Sequence, residues 1–336
     1  MIDSQLIAAI EHKSEVLAGN RPGDPHERTL FVYLPASYDH DQQARFPVVW
    51  VLASFASWGQ RLFNLEAWDE NIVQRMDRLV REGRVRPMIM AFPDCFTRYG
   101  GSQYVNSSAV GRYEDYITQE LVPLVDSQFR TLASRDHRGV MGSSSGGYGA
   151  LMLAMRHPDL FGAAVCHSGD MLFEHCYWPD IPGAIRALDV MGGIDGFLAS
   201  FGLQQKTDDW FRALNLIAMS ACYSPNPDSP HGFDLLCDAH TGEIQEEVWQ
   251  RWLEHDPLRA APQYLDQLRS LRLLYFDCGR RDEHNLFLGA RALHRLLEQH
   301  GVRHIYEEFD GGHRGNNWRY NTSLPLLSDA LTPYPG

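Results

Sequence analysis

The sequence predicts an α/β protein with a mostly parallel central sheet, helices on both faces and one inserted region. Two observations indicate this class. Short apolar runs, typical of strands buried on both faces, alternate along the chain with segments whose apolar residues recur at helical spacing. A glycine-rich turn near the middle of the chain also joins one apolar run directly to a helical segment. Such alternation is typical of parallel strands linked by crossover helices.

The predicted strands follow from the apolar patterns in chain order. Residues 29–35 alternate and end at a proline, as an antiparallel strand does. Continuous apolar runs predict buried strands over residues 46–53, 88–93, 163–166 and 271–276, and residues 137–141 supply the strand that enters the glycine-rich turn. Residues 305–309 are more polar, so we expect this strand near an edge of the sheet.

Helical periodicity predicts four helices between these strands. They cover residues 65–82, 113–129, 149–157 and 286–300. Residues 170–262 break the alternation, because they hold proline clusters and helical pieces but no obvious core strand. Within them, residues 238–243 are typical of a tight turn.

Composition and charge exclude several classes of partner. The 336 residues carry a formal net charge of −13 without a basic run, which argues against nucleic acid or an anionic membrane as a partner.

The N-terminus has no basic start and only a short apolar run, so neither a signal peptide nor a membrane span is predicted. Six cysteines lack C-x-x-C spacing and favour free thiols in the cytoplasm. The spacing of the histidines does not indicate a metal site, and we expect no cofactor.

Residues 142–146, with the sequence GSSSG, have the form G-x-S-x-G between the strand at 137–141 and the helix at 149–157. In a nucleophile elbow, a strand enters a tight turn, a helix leaves it, and the central serine is exposed above the sheet. Ser144 is therefore the candidate nucleophile. A plain glycine–serine loop is the alternative, whereas a P-loop is excluded because no lysine follows the glycines.

A serine hydroxyl needs a base, usually histidine, and a carboxylate that orients the base. On an α/β-hydrolase sheet these partners follow the serine in the order acid, then histidine, on loops after later strands. His313 lies in a glycine-bearing loop after the strand at 305–309 and is the predicted base. Asp282, in the loop after the preceding strand, is the favoured acid, with Asp277, Glu283 and Asp310 as alternatives.

The oxyanion of an acyl-transfer intermediate needs two backbone N–H donors. We expect one from Ser145, which follows the nucleophile, and one from Phe55, in the loop after the strand at 46–53. Cys166 and Cys278 lie near strand ends but are more typical of small buried thiols than of nucleophiles. Four further histidines are expected at the surface: His284, His294, His300 and His304.

These residues resemble the "putative esterase" family of α/β-hydrolases, which includes S-formylglutathione hydrolases and feruloyl esterases. Residues 138–150, 156–161, 277–282 and 311–313 carry the resemblance, in the order that the family has them. The resemblance implies the α/β-hydrolase fold and triad roles for Ser144, Asp282 and His313. Many members have a His-Gly pair in the oxyanion loop, where this chain has Ala53-Ser54.

The sequence thus predicts a cytoplasmic serine carboxylesterase for a small or medium ester, with a homo-oligomer left open. Its core comprises residues 1–169 and 263–336, and residues 170–262 form a cap over the active site or, alternatively, a peripheral packing subdomain. Alternative functions are acyl transfer to a sugar or other alcohol, ligand binding without catalysis, and peptide hydrolysis. Five aromatic residues of the cap are candidate pocket walls: Phe173, Tyr177, Trp178, Trp210 and Tyr223.

Overall fold

A computed structural model of the protein describes residues 7–201 and 205–332. Its main sheet has eight strands in the order β1-β2-β4-β3-β7-β8-β9-β10. The strands are β1 Ile7–Lys13, β2 Glu27–Tyr33, β3 Val48–Leu52, β4 Ile89–Phe92, β7 Arg138–Ser143, β8 Ala163–His167, β9 Leu273–Gly279 and β10 Ile305–Phe309. The first two are antiparallel to their neighbours and the rest are parallel, which confirms the predicted class. A separate hairpin pairs β5 Asn106–Ser107 with β6 Gly111–Arg112.

Helices connect the strands and cover the sheet. They are α1 Ile72–Arg81, α2 Tyr113–Asp115, α3 Val122–Gln128, α4 Ser145–Arg156, α5 Phe173–Cys176, α6 Ile181–Met191, α7 Gly193–Ala199, α8 Asp208–Tyr223, α9 Glu246–Leu253, α10 Pro257–Ala260, α11 Leu265–Arg269, α12 Leu286–Gln299 and α13 Tyr320–Leu331. A π-helical segment, Tyr116–Leu121, joins α2 to α3. The helix predicted over residues 113–129 is therefore confirmed, with a wider turn in its middle.

The predicted helix over residues 65–82 begins too early. Asn71 caps α1 by accepting the N–H of Gln74, and the Gln74 side chain accepts the N–H of Asn71 in return. This capping box starts the helix at Ile72. The residues before it include a 3₁₀ turn, Gly59–Phe63. The apolar residues between positions 65 and 71 had the spacing of a helix, but the local hydrogen bonds of Asn71 determine where the helix begins.

Two hydrophobic clusters lie on opposite faces of the sheet. One contains Tyr33, Val49 and Met141 and is covered by α1 and α13. The other contains Trp50 and Val140 together with side chains of the inserted segment, residues 170–262. The inserted segment therefore buries its apolar side chains in the same core as the sheet. The described part of this segment contains helices but no strand of the main sheet.

Strand β1 and the hairpin were not predicted from the sequence. Alternate residues of β1 are exposed, and it pairs along its whole length with β2 at the edge of the sheet. The strand at residues 305–309 is at the other edge, as expected. Within the described residues, no helix combines the length and apolarity that a bilayer crossing requires.

Candidate active site

Ser144 lies at a sharp turn between β7 and α4, with φ 57° and ψ −127°. A positive φ is strained for a residue with a side chain, and here it is held by the N–H of Ser144, which donates to the His167 carbonyl at 2.8 Å. Close backbone packing explains the flanking glycines. A Cβ on Gly142 would lie 2.4 Å from Gly146, and a Cβ on Gly146 would lie 2.2 Å from the Leu52 carbonyl oxygen. The predicted strand–turn–helix geometry is therefore present.

Three of the predicted site residues form one hydrogen-bonded chain. His313 Nε2 lies 3.0 Å from Ser144 Oγ, and His313 Nδ1 lies 2.7 Å from Asp282 Oδ2. With its proton on Nδ1, the imidazole donates to the carboxylate and can accept from the hydroxyl. Asp282 is held in turn by the backbone N–H of His284, which donates to Oδ1 at 2.9 Å. The arrangement has the contacts that an activated serine requires.

The electrostatics of this chain favour proton transfer to histidine. Burial raises the pKa of Asp282, but the hydrogen bond and charge of His313 outweigh burial, so the pKa lies below its usual range. Burial lowers the pKa of His313, but Asp282 outweighs this effect, and the pKa is raised above its ordinary value of 6.5. Asp282 is therefore ionised and stabilises the imidazolium form.

The alternative acids have other partners. Glu283 accepts the backbone N–H of His313 at 2.6 Å and so holds the loop rather than the ring. Asp310 forms an exposed ion pair with Arg281. Asp277 is buried and bonds to His167, which is described below.

Both predicted oxyanion donors line the same cavity as Ser144. Ser145 is the first residue of α4, and Phe55 lies in the loop after β3. Two contacts shape this loop: the Ser54 hydroxyl donates to the Ser143 carbonyl at 2.9 Å, and the N–H of Ala56 donates to the Gly100 carbonyl at 2.8 Å. The Ala-Ser pair that replaces His-Gly is thus bonded directly to the residue before Ser144.

The cavity above Ser144 has a volume of about 490 Å³. Tyr177 lines it, as predicted, but the other four proposed aromatic walls do not belong to its lining within the described residues. Phe173 and Tyr223 stack on each other in the core, 5.3 Å between ring centroids. Trp210 is buried, and Trp178 packs on Trp249 at the surface. The aromatic residues of the inserted segment therefore mainly build the core, and apolar composition alone does not distinguish a pocket wall from core packing.

His284 was expected at the surface, but it lines the cavity. Its ring packs edge-on against His313, 4.7 Å between centroids. His294 and His304 are half-buried and hydrogen-bonded to each other at 2.8 Å, so they too are less exposed than expected, whereas His300 is exposed. The position of His284, two residues after the predicted acid Asp282, was the sequence signal that could have predicted its place in the cavity.

Sequence reasoning also missed a second buried chain of serine, histidine and aspartate. His167 Nδ1 lies 2.8 Å from Asp277 Oδ1, and His167 Nε2 lies 2.9 Å from Ser323 Oγ. Arg319 Nε donates to Asp277 Oδ2 at 2.7 Å and the guanidinium also bonds Glu307. Arg319 is thus the cationic partner of Asp277, and it balances the negative charge of this carboxylate at a position away from the cavity.

The cysteines do not offer an alternative nucleophile. All six are buried free thiols. Burial raises the pKa of Cys166 and Cys278 far above the ordinary value, so both remain protonated at neutral pH. Among the described residues, no group of histidine, cysteine, aspartate or glutamate has the geometry of a metal site.

Comparison with known structures shows which fold the protein has. A ferulic acid esterase superposes with a TM-score of 0.62 at 20% identity, covering 96% of this chain and 98% of the other. An S-formylglutathione hydrolase from Agrobacterium tumefaciens superposes with a TM-score of 0.56 at 15% identity, covering 97% and 95%. At these identities the likeness shows the fold: the protein has the α/β-hydrolase fold of such esterases.

The family follows from the sequence match. The esterase family model described as "Putative esterase" matches residues 24–323, so the chain belongs to this family. An esterase from Mycobacterium tuberculosis is 34% identical over 119 residues, 32% of this chain and 25% of that protein. An endo-1,4-beta-xylanase/feruloyl esterase from Xylanibacter ruminicola is 28% identical over 148 residues, 40% of this chain and 18% of that protein. The matched stretches thus span a quarter or less of these relatives.

Proposed function

We propose that the protein hydrolyses a small or medium carboxylic ester through a covalent acyl-enzyme. Ser144 is the nucleophile, His313 the general base and Asp282 the residue that orients the imidazole. The hydrogen-bonded chain of these three residues, with its hydroxyl at a strained turn beneath an open cavity, is the observation that supports the proposal. A serine in this setting is activated because the neighbouring imidazole can take its proton.

The reaction follows from the positions of the donors. Ser144 Oγ attacks the ester carbonyl carbon as its proton passes to His313 Nε2. The N–H groups of Ser145 and Phe55 stabilise the negative oxygen of the tetrahedral intermediate. Collapse of the intermediate breaks the carbonyl–alkoxy bond, and the leaving alcohol takes the proton from His313. Water then attacks the acyl-enzyme by the same route, which releases the acid and restores Ser144.

The inserted segment, residues 170–262, is proposed to cap the active site. Tyr177 and, from α8, Phe211 and Asn215 line the cavity, which supports this role. Phe211 also packs against Phe55, 5.5 Å between ring centroids, so the segment contacts the proposed oxyanion loop. The cytoplasmic location and the oligomeric state stay predictions.

The substrate class is proposed from the size of the cavity. A volume of about 490 Å³ lies within the usual range for small-molecule sites of about 300–1,000 Å³. The similar solved structures include a ferulic acid esterase and an S-formylglutathione hydrolase. We therefore propose an ester of this size range.

Hydrolysis of p-nitrophenyl esters from acetate to palmitate tests the proposal. Wild-type protein is expected to hydrolyse the short esters, and Ser144→Ala to lose about 10⁴-fold or more in turnover. A fluorophosphonate probe is expected to label wild type and not the variant. Equal activity of the two proteins contradicts the role of Ser144; absence of both hydrolysis and labelling favours ligand binding without catalysis. An added alcohol separates hydrolysis from acyl transfer, since acyl transfer yields a new ester.

A further inference from the structure

A buried carboxylate in the cavity has no role in the proposed triad. Asp170 follows β8, three residues after His167, whose carbonyl holds the N–H of Ser144. The backbone between them packs against the nucleophile turn: a Cβ on Gly169 would lie 2.9 Å from the nitrogen of Tyr148. Asp170 is 9% exposed and lines the cavity with Ser144 and His313. Its position is therefore fixed relative to the nucleophile.

The hydrogen bonds of Asp170 use one of its two oxygens. The Gln103 amide donates to Oδ2 at 3.2 Å, and the Tyr177 hydroxyl donates to the same oxygen at 3.1 Å. Within residues 7–201 and 205–332, no donor reaches Oδ1, and no cation forms an ion pair with this carboxylate. Two neutral donors thus orient Asp170 and leave an acceptor oxygen without a protein partner.

A second acceptor nearby also lacks a partner. Gln103 is 1% exposed, and its Oε1 has no hydrogen-bond partner among the described residues, although its amide bonds Asp170 and the Tyr223 hydroxyl. Buried acceptors without donors are costly, because they lose hydration without replacement. Gln103 does not line the cavity, so Asp170 is the member of this pair that a ligand in the cavity can reach.

Structural contacts with Gln103 and Tyr177 do not by themselves require the carboxylate of Asp170. Burial raises the pKa of Asp170, although the charge of His313 and the Gln103 hydrogen bond oppose it. An asparagine could bond the same neighbours without the cost of burying a carboxyl group. A carboxylate oxygen, by contrast, is a stronger acceptor for a hydroxyl donor than an amide oxygen is.

We propose that Asp170 binds a hydroxyl group of the substrate, so that the preferred esters carry a hydroxyl on their acyl or alcohol part. This inference rests on the proposed ester hydrolysis and specifies the substrate class of the same cavity. The hydroxyl donates to Oδ1 of Asp170 while the ester carbonyl lies at Ser144. With an ester that lacks the hydroxyl, Oδ1 of the buried carboxylate has no hydrogen-bond donor. A site of this kind therefore discriminates against such an ester.

Matched ester pairs test the proposal on both sides of the ester bond. The acyl arm compares p-nitrophenyl hexanoate with its ω-hydroxyhexanoate analogue; the alcohol arm compares benzyl butanoate with 4-hydroxybenzyl butanoate. We expect kcat/KM to favour the hydroxylated member of at least one pair by about tenfold or more. In Asp170→Asn this preference should fall about tenfold, whereas loss of the charge alone affects both members of a pair equally. The arm that responds shows which part of the substrate faces Asp170.

Glu66→Gln is the matched control, because it removes the same charge from an exposed residue that lines the same cavity. Its preference for the hydroxylated ester should equal that of wild type. Equal rates for both members of both pairs in wild type overturn the proposal while ester hydrolysis stands. A uniform loss on all esters in Asp170→Asn also overturns it, because Asp170 then acts only on His313.

A binding measurement separates this proposal from the catalytic one. Calorimetry with Ser144→Ala gives the Kd of each intact ester without turnover. We expect tighter binding of the hydroxylated member, and loss of that difference in Ser144→Ala with Asp170→Asn. Failure of catalysis in wild type with a retained binding preference rejects the proposed hydrolysis but keeps the Asp170 site; absence of a binding preference rejects the site.

Discussion

Two chains of serine, histidine and aspartate lie close together at the carboxyl ends of the central strands, and their internal distances are alike. Ser144, His313 and Asp282 are joined by contacts of 3.0 and 2.7 Å. The buried chain described above, Ser323–His167–Asp277, is joined by contacts of 2.9 and 2.8 Å. Hydrogen-bond geometry alone therefore does not distinguish a candidate catalytic chain from a structural one.

The surroundings of the two serines differ. Ser144 is at a strained turn, lines the cavity and is followed directly by the N-terminus of helix α4, where the first N–H groups have no partner within the helix. Ser323 is 0% exposed and lies inside helix α13, where backbone N–H groups bond within the helix. Asp277 also has Arg319 as a partner, whereas the described partners of Asp282 are His313, backbone N–H groups and the weak donor Cys278. The two chains therefore differ in three respects: whether the serine lines the cavity, whether its backbone is strained, and whether N–H groups without a partner in their helix lie beside it.

The largest expected effect is on activity. Asp282→Asn should lower kcat for a p-nitrophenyl ester by about 10³–10⁴-fold, because the amide favours the wrong imidazole tautomer and no longer stabilises the imidazolium. Steady-state kinetics of the purified variant measures this. The thermal unfolding midpoint serves as the control for folding. A loss of less than tenfold in a folded variant contradicts the assignment of Asp282.

Asp277→Asn, the equivalent change in the buried chain, should act on stability. It removes a carboxylate partner from Arg319, which is 7% exposed, and from His167. Breaking a buried ion pair typically costs about 3–5 kcal/mol, and we expect about 3 kcal/mol because Glu307 still bonds Arg319. Urea unfolding measures the change, and the folded variant should retain activity within about tenfold, since Asp277 contacts no reacting atom.

Ser323→Ala is the control for that variant. It removes one hydrogen bond to His167 and leaves the ion pair, so the free energy of unfolding should fall by only about 1 kcal/mol. If Ser323→Ala abolishes ester hydrolysis in a folded protein, the buried chain takes part in the reaction, and its structural interpretation is wrong.

The smallest effect expected is in the pH dependence. Hydrolysis needs neutral His313, so kcat/KM rises with pH through the pKa of this residue in the free enzyme. The hydrogen bond and charge of Asp282 and the charges of Asp170 and Glu283 raise that pKa, against burial, which lowers it. The acid limb of wild type should therefore have its midpoint above 6.5, the ordinary value. A pH profile of kcat/KM locates it, and a midpoint below 6.5 contradicts this account.

The strands of the core were predictable because their apolar runs report burial directly. Both faces of β3 and β4 are covered, so their residues are continuously apolar. The first strand was not predictable in the same way, since its residues are half-buried or exposed and its pairing with β2 stabilises it. The start of α1 was also missed, because the capping hydrogen bonds of Asn71 override the apolar spacing before it.

The amino-acid sequence was sufficient to predict the strand–turn–helix around Ser144, because the close approach of strand and helix there depends on local glycines. It also restricted the partners of Ser144 to two loops. Tertiary structure decided which of the neighbouring side chains meets the histidine: Asp282 bonds His313, while Asp277 turns to His167. It also decided that Asp170 and His284 line the cavity and that Tyr223 does not. These choices depend on contacts between residues distant in sequence, which the packing of loops and helices alone determines.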